Sequence, residues 1–436
     1  MGVTRRVFVH NGALAVVGSA ALPSFFGRAV LGGTAAAGAD SRRLVVIFQR
    51  GAADGLNIVV PHGEASYYAM RPTINIPRTS VLDLDGFFGL HPAMAPLQAL
   101  WNQRHLAIVH AVGSPHPTRS HLDAQDFIES GTPGLKETED GWLNRAVHTI
   151  APSPKASTLR AVALSPSLPR ILSGSEPATA VSNINQFSVS GFSRSPSPVS
   201  NTFESIYKQS VHTVVHGTGR DTFQAVKMLK AANPSRYTPA AGAHYPQSRF
   251  GDSLRQLAQL MKANVGVQVA FADIGGWDHH VNEGNTQGQL ANVLRDFSHC
   301  LNAFWMDLGS LAEDTVVITL SEFGRTVREN GNGGTDHGHG NAMFVMGGRV
   351  KGGKVYGRWP GLDPSHLYER RDLAATTDFR QVLSEAVYGH LGNHNLSSVF
   401  PGFDADPAKF LHFLVKTATA STKSNYAPRY SCAAHL

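Results

Sequence analysis

An α/β fold built on a mostly parallel central sheet flanked by helices is what this sequence predicts, and three observations predict it. Short, largely apolar runs recur along the chain, segments with apolar residues three and four apart alternate with them, and polar clusters fall at the ends of the runs. Strands without a polar side have no solvated face, so helices must cover both faces of their sheet. With 42% apolar and only 16% charged residues in 436, the chain buries a core rather than staying solvated.

Taken in order, residues 1–39 contain no Asp or Glu, carry Thr4-Arg5-Arg6-Val7-Phe8 near the start and continue into a Gly/Ala-rich apolar stretch from Ala13 to Gly33. This pattern reads as a twin-arginine signal peptide, with cleavage expected after Ala37 or Ala39. Ser19, Pro23, Ser24 and Arg28 interrupt the stretch, short of the ~20 clean apolar residues that a membrane span needs. The mature chain is therefore expected in the periplasm or secreted, with the twin-arginine export machinery as a partner and no stable membrane span.

Residues 40–416 are expected to form the α/β domain. Its strands are predicted at Leu44 to Phe48, Leu106 to Val112, Leu159 to Leu164, Val267 to Ala272, Thr315 to Leu320 and Ala342 to Met346. Helical periodicity marks His121 to Ser130, Phe203 to Val215, Ser253 to Lys262, Gln289 to Leu308 and Asp378 to Leu391. The Ser/Pro/Asn/Gly-rich stretch 165–202 and the Pro/Ser/Gly-rich 234–248 read as surface excursions, and 417–436 as a flexible tail.

Composition excludes several classes. Two cysteines, Cys300 and Cys432, rule out a disulfide scaffold and a cysteine zinc cluster. Half of the formal +6 charge comes from Arg5, Arg6 and Arg28 in the leader, and no dense basic run remains, so no nucleic-acid partner is expected. A dinucleotide Gly-x-Gly-x-x-Gly fingerprint and a haem Cys-x-x-Cys-His are both missing. The 21 histidines are the unusual count, since imidazole is the commonest metal ligand.

In open α/β sheets ligands bind beyond the carboxyl ends of the strands. Polar residues after four predicted strands, and a cluster before a fifth, therefore stand out: Asp54; the run Ser114 to His121; Asp273, Asp278, His279 and His280; Glu322 and Arg325; and Asp336-His337-Gly338-His339. Carboxylates and imidazoles drawn from separate loops suit a divalent ion, because no single loop here supplies four to six ligands. Simpler roles compete. Asp54 suits an Asx-turn, Glu322 an ion pair with Arg325 three residues on, and the two Asp/His groups structural hydrogen bonding.

The chain resembles the domain of unknown function 1501 family, which is exported by the twin-arginine route and related to the alkaline phosphatase and sulfatase superfamily. The stretches that carry the resemblance are Gly51 to Asn57, Arg119-Ser120-His121 through Gly131, Gly275-Gly276-Trp277-Asp278 with His280, Ser321 to Arg325, and Asp336 to Gly340. The resemblance implies an alkaline phosphatase-like fold and a metal-dependent hydrolase of a phosphate or sulfate ester on a small-molecule or glycan substrate. Its cofactors would be one or two divalent ions, whether zinc, magnesium, calcium or manganese. Asp54, Asp278, His280, Glu322 and one of His337 or His339 map as ligands, with Asp336 beside them. Ser120 maps as nucleophile, with Ser114 and Thr118 as rivals, and Arg119 or Arg325 as the cation balancing the transferred group. Two departures stand out. Glu322-Phe323-Gly324 replaces the superfamily's usual Asp-His-Gly, and the loop 114–119 lacks the spacing for a formylglycine sulfatase. A non-catalytic secreted binding module is the alternative function.

Overall fold

The computed structural model describes residues 42–150, 159–184 and 237–415, position 228, and the backbone of 6–10 and 13–17. The predicted cleavage region, the helix at Phe203 to Val215 and the tail 417–436 lie outside the described residues.

Among the described residues eleven strands pair in one sheet, and eight of them form its body. In chain order they are β1 (Arg43–Gln49), β2 (Leu106–Gly113), β3 (Ala161–Ala163), β4 (Thr179–Ala180), β5 (Val269–Ile274), β6 (Thr315–Leu320), β7 (Asn341–Gly347) and β8 (Lys354–Tyr356). Their spatial order is β8-β2-β7-β6-β1-β5-β3-β4. Thr377–Asp378 adds a parallel bridge on β2, and the Arg6–His10/Ala13–Val17 hairpin lies beyond β4. Pairing is parallel from β6 through β1, β5 and β3 to β4, and again between β8 and β2. Strand β7 runs antiparallel to both of its neighbours.

The apolar strands are buried on both faces, as their composition requires. Along β1, Val45 and Ile47 belong to one core cluster and Leu44, Val46 and Phe48 to the other. Helices α3 (Arg249–Lys262) and α4 (Gln289–Leu308) cover the first face with Leu254, Leu257, Leu294 and Phe297. On the second face lie α2 (Trp142–His148) and α5 (Phe379–Glu385), which contribute Trp142, Leu143, Val382 and Leu383. Helix α1 (His121–Ser130) follows β2 and ends at Gly131, whose φ of 70° closes it in the left-handed region.

Two expectations change. The stretch beginning at Ser165 is not wholly a surface excursion, because Thr179–Ala180 pairs with β3 and Ile171 and Leu172 are fully buried. The helix expected over Asp378 to Leu391 is α-helical only to Glu385, then widens into one π turn, Ala386–His390. The segment from Tyr237 stays irregular, pinned to α4 where the Asp307 carboxylate accepts from both tyrosine hydroxyls, Tyr237 at 2.5 Å and Tyr245 at 2.9 Å.

The direction of β7 decides where the chemistry collects. Clusters after β1, β2, β5 and β6 lie at the carboxyl edge of the sheet, and an antiparallel β7 brings the cluster before it to the same edge.

Candidate metal centre

The two loops flanking the β6–β7 connection zip together before β7 begins. The Gly324 N–H donates to the His339 carbonyl (2.9 Å), the Gly338 N–H to the Gly324 carbonyl (2.8 Å) and the Thr326 N–H to the Asp336 carbonyl (2.9 Å). A Cβ on Gly324 would meet the Gly340 oxygen at 1.9 Å, so only glycine permits this approach. From β5, the Gly275-Gly276-Trp277 turn is anchored by Trp277, which is buried, donates from Nε1 to the Ile274 carbonyl (3.0 Å) and meets Phe297 of α4 edge-on. The turn carries Asp278 and His280 to the zipped loops. Gly51, at φ 121°, passes so close that a Cβ there would lie 2.8 Å from the Asp278 nitrogen.

Three imidazoles and one carboxylate converge there. His337 Nε2 lies 3.0 Å from His121 Nε2 and 2.9 Å from His280 Nε2. The Asp278 carboxylate is 3.6 Å from His121, 3.1 Å from His280 and 3.4 Å from His337 at their Nε2 atoms. His121, Asp278 and His337 each offer a ligand atom within reach of the other two, and His280 adds a fourth donor beside His337 and Asp278.

What lies behind the rings fixes their tautomers. His121 Nδ1 donates to Glu322 Oε1 (2.9 Å), His280 Nδ1 to Asp336 Oδ1 (3.2 Å) and His337 Nδ1 to the Arg119 carbonyl (2.8 Å). A neutral ring holding its proton on Nδ1 presents a lone pair at Nε2, so three such nitrogens lie about the Asp278 carboxylate. Ligating histidines are oriented in this way, by an acceptor on the far nitrogen. The His121–His337, His337–Asp278 and His121–Asp278 spacings of 3.0, 3.4 and 3.6 Å lie about the edge of a tetrahedron, about 3.3–3.4 Å for bonds of 2.0–2.1 Å. The donor set fits a borderline ion such as zinc better than magnesium or calcium, which prefer all-oxygen shells.

The electrostatics favour a cation. The hydrogen bond to Glu322 raises the His121 pKa against the opposing effect of burial, with the charges of Glu322 and Asp278 adding to the rise. His337 is lowered, first by burial and further by the facing His121, Arg325 and His280. Burial alone would raise Asp278, but the hydrogen bond and charge of Arg325 outweigh it and keep the carboxylate ionised. Glu322, also buried, is held below its ordinary range by donors from His121, its own backbone and Gln125.

The other residues nominated from sequence fall into three places. Glu322 and Asp336 stand behind the imidazoles, and Glu322 Oε1 also accepts from Gly51 N (2.9 Å) and Gln125 Nε2 (2.8 Å). The competing Glu322–Arg325 ion pair is not formed. Arg325 is buried, bonds Asp278 Oδ1 at 2.5 Å and donates to the carbonyls of Gly51, Ala52, Trp277 and Thr335. Arg119 Nη2 is bound by Asp372 (2.6 Å) and Glu369 (2.7 Å). Asp54 and His339 are engaged elsewhere. Asp54 takes both arms of the buried Arg71 (2.5 and 3.0 Å) and accepts from the Leu56 N–H, the Asx-turn geometry. His339 stacks on Tyr368 with ring centroids 4.2 Å apart. Asp273 pairs with Arg50 and Arg249.

Ser120 is exposed and caps α1, its Oγ accepting from Asp123 N (3.5 Å). Its neighbours on both sides touch the centre, Arg119 through its carbonyl and His121 through its ring. Thr118 Oγ1 instead accepts from Ser120 N, and the buried Ser114 Oγ from His116 N.

His121 was not among the sequence-nominated ligands. Its signal was present, since it opens a helix directly after the loop that follows a buried strand.

An α/β protein with a histidine–carboxylate centre at the carboxyl edge of its sheet is thereby defined. The chain belongs to the family described as protein of unknown function (DUF1501), whose model matches residues 41–394. No curated protein matches it. Among solved structures it is similar to the C-terminal periplasmic domain of EcEptC from Escherichia coli in complex with Zn, at 10% identity, 70% coverage of this chain, 72% of that one and TM-score 0.33. It is also similar to the lipoteichoic acid synthase LtaP from Listeria monocytogenes (9%, 71% and 66%, 0.31) and to PsFucS1 sulfatase from Pseudoalteromonas sp. (11%, 85% and 70%, 0.30).

Proposed function

We propose that this protein is an exported, metal-dependent hydrolase of a phosphate or sulfate ester. The observation that carries the reading is the convergence of the His121, His280 and His337 Nε2 atoms with Asp278, each ring backed by its own acceptor. The Asp278, His280, His121 and His337 side chains are about a quarter to a half exposed, as suits a centre that substrate must reach rather than a sealed structural one. A zinc-class ion held there would supply a Lewis acid that polarises an ester oxygen and lowers the pKa of an adjacent hydroxyl or water.

The chain's own residues do the rest. Ser120 is the proposed nucleophile, the one exposed hydroxyl of Ser114, Thr118 and Ser120, between two residues that touch the centre. Glu322, Asp336 and the Arg119 carbonyl fix the imidazole tautomers. Arg325 holds Asp278 in place and ties the loops after β1, β5 and β6 to the loop before β7. The leader supports export by the twin-arginine route to the periplasm or beyond. No helix among the described residues is long and apolar enough to cross a membrane.

The test is metal analysis of protein purified without chelator, followed by a panel of phosphate and sulfate monoesters. Bound zinc-class metal with ester cleavage that Ser120→Ala abolishes is the expected outcome. Metal without cleavage of any ester would favour the non-catalytic binding module, and no metal would reject the hydrolase and leave an ion-free binding module.

A further inference from the structure

We propose that Arg371, presented by a strained turn, is the residue that receives the tetrahedral oxyanion group of the substrate, phosphoryl or sulfuryl. This rests on the hydrolase reading above. An ester hydrolase of this kind needs a cation facing the transferred group, and the two arginines nominated from sequence are committed. Arg325 is buried among Asp278 and four carbonyls, and Arg119 is tied to Asp372 and Glu369.

Arg371 is differently placed. Its Nη2 donates to the main-chain carbonyl of His337 at 2.9 Å, which puts the guanidinium beside a residue of the centre. Its side chain is 40% exposed, and its remaining ion contact is a loose 3.6 Å approach to Asp372 Oδ2, an atom already held by Arg119. Guanidinium carries five N–H donors in a fork that matches two oxygens of a phosphoryl or sulfuryl group, and among the described residues most of these donors are uncommitted. Of the carboxylates around it, Glu369 and Asp372 are bound by Arg119, and Asp336 accepts from His280 and Asn330.

The turn that presents Arg371 is built against conformational preference. The Arg371 N–H donates to the Tyr368 carbonyl (3.1 Å) across Glu369 and Arg370, at φ 52° and 57°. Two consecutive left-handed residues make a turn that ordinarily selects Asn-Gly, and strain of this kind persists only where surrounding contacts over-determine it. Those contacts are present. Glu369 and Asp372 grip Arg119, Tyr368 stacks on His339, and the Tyr368 N–H donates to the Asp372 carbonyl (2.8 Å). The contacts to Arg119 and His339 tie the turn to the loops that carry Ser120 and His337, and the last closes it on itself.

The experiment titrates inorganic phosphate and inorganic sulfate into the full-length mature protein loaded with zinc, by calorimetry, with zinc content and melting temperature measured on each variant. Arg371→Ala is expected to weaken binding of the preferred anion about ten- to hundredfold, the loss of charge-assisted hydrogen bonds, with zinc content unchanged. Arg371→Lys should recover part of it, and Arg328→Ala, an equal charge change at an exposed site, should leave it unaltered. Wild-type affinity in Arg371→Ala overturns the proposal, as does an equal loss in Arg328→Ala, which would mean a diffuse field. A variant that loses zinc along with anion affinity would make Arg371 a structural support and likewise overturn it. A wild type that binds no zinc would instead reject the hydrolase reading itself.

Discussion

Glu322→Gln is the substitution that most sharply separates a ligand from a residue that positions one. The sequence resemblance maps Glu322 as a ligand, whereas the structure sets it behind His121, where one oxygen gathers the His121 ring, the Gly51 N–H and the Gln125 amide at 2.8–2.9 Å. Glutamine keeps an oxygen for those donors but removes the charge that holds the His121 proton on Nδ1. Changes to such supporting groups lower metal affinity about 10–100-fold, equivalent to about 1.4–2.8 kcal/mol. His121→Ala deletes the Nε2 donor itself and must lose more than Glu322→Gln does. Competition for zinc against a chromophoric chelator measures both constants on one scale. A Glu322→Gln variant that binds zinc as well as wild type, or more weakly than His121→Ala, would refute this placement of the two residues.

Other consequences follow from groups away from the centre. Arg71→Met strands the fully buried Asp54 carboxylate and is expected to destabilise the fold by about 3–5 kcal/mol in urea denaturation, much of which Asp54→Asn in the same chain should restore; no rescue would mean that the pair is not what holds this region. His110 is buried, donates from Nε2 to the Val59 carbonyl and accepts the Ala111 N–H at Nδ1, so burial and a filled lone pair push its pKa down to about 4 from 6.5. Its contribution to stability is complete above pH 6.5 and is lost as pH falls toward 4, by about 3 kcal/mol; pH-dependent unfolding of chelator-treated protein should show this, and His110→Asn should flatten it. Replacing Arg5 and Arg6 by lysine should hold the precursor in the cytoplasm, and unchanged periplasmic delivery would remove the twin-arginine reading.

Much of the fold was legible because buried strands declare themselves by composition. Thr315–Leu320 and the helices His121–Ser130 and Gln289–Leu308 fall at the predicted bounds, since apolar runs and three-four spacing report burial directly. Strand direction leaves no such mark, and the antiparallel course of β7 explains how a cluster before a strand joins clusters that follow strands. The stretch after Ser165 reads as surface from sequence because its Ser and Pro content masks Ile171 and Leu172, which tertiary packing buries. At the centre, spacing drew attention to Asp278 with His280 and to His337 with His339, yet period-two spacing in a loop does not say which side chains face the same way. The zipped loops turn His337 toward His121 and leave His339 against Tyr368. Which carboxylates bind an ion and which hold an imidazole depends on contacts between loops some 200 residues apart, and a single sequence carries no trace of those.

The most direct measurement is a crystal structure of the zinc-loaded protein with anomalous data collected at the zinc edge. One strong anomalous peak is expected about 2.0–2.2 Å from the Nε2 atoms of His121 and His337 and from a carboxylate oxygen of Asp278, with His280 beside these three ligands and the remaining position open to substrate. A peak bonded instead to Asp54, Glu322 or His339, or no peak among these residues at full zinc loading, would contradict that expectation.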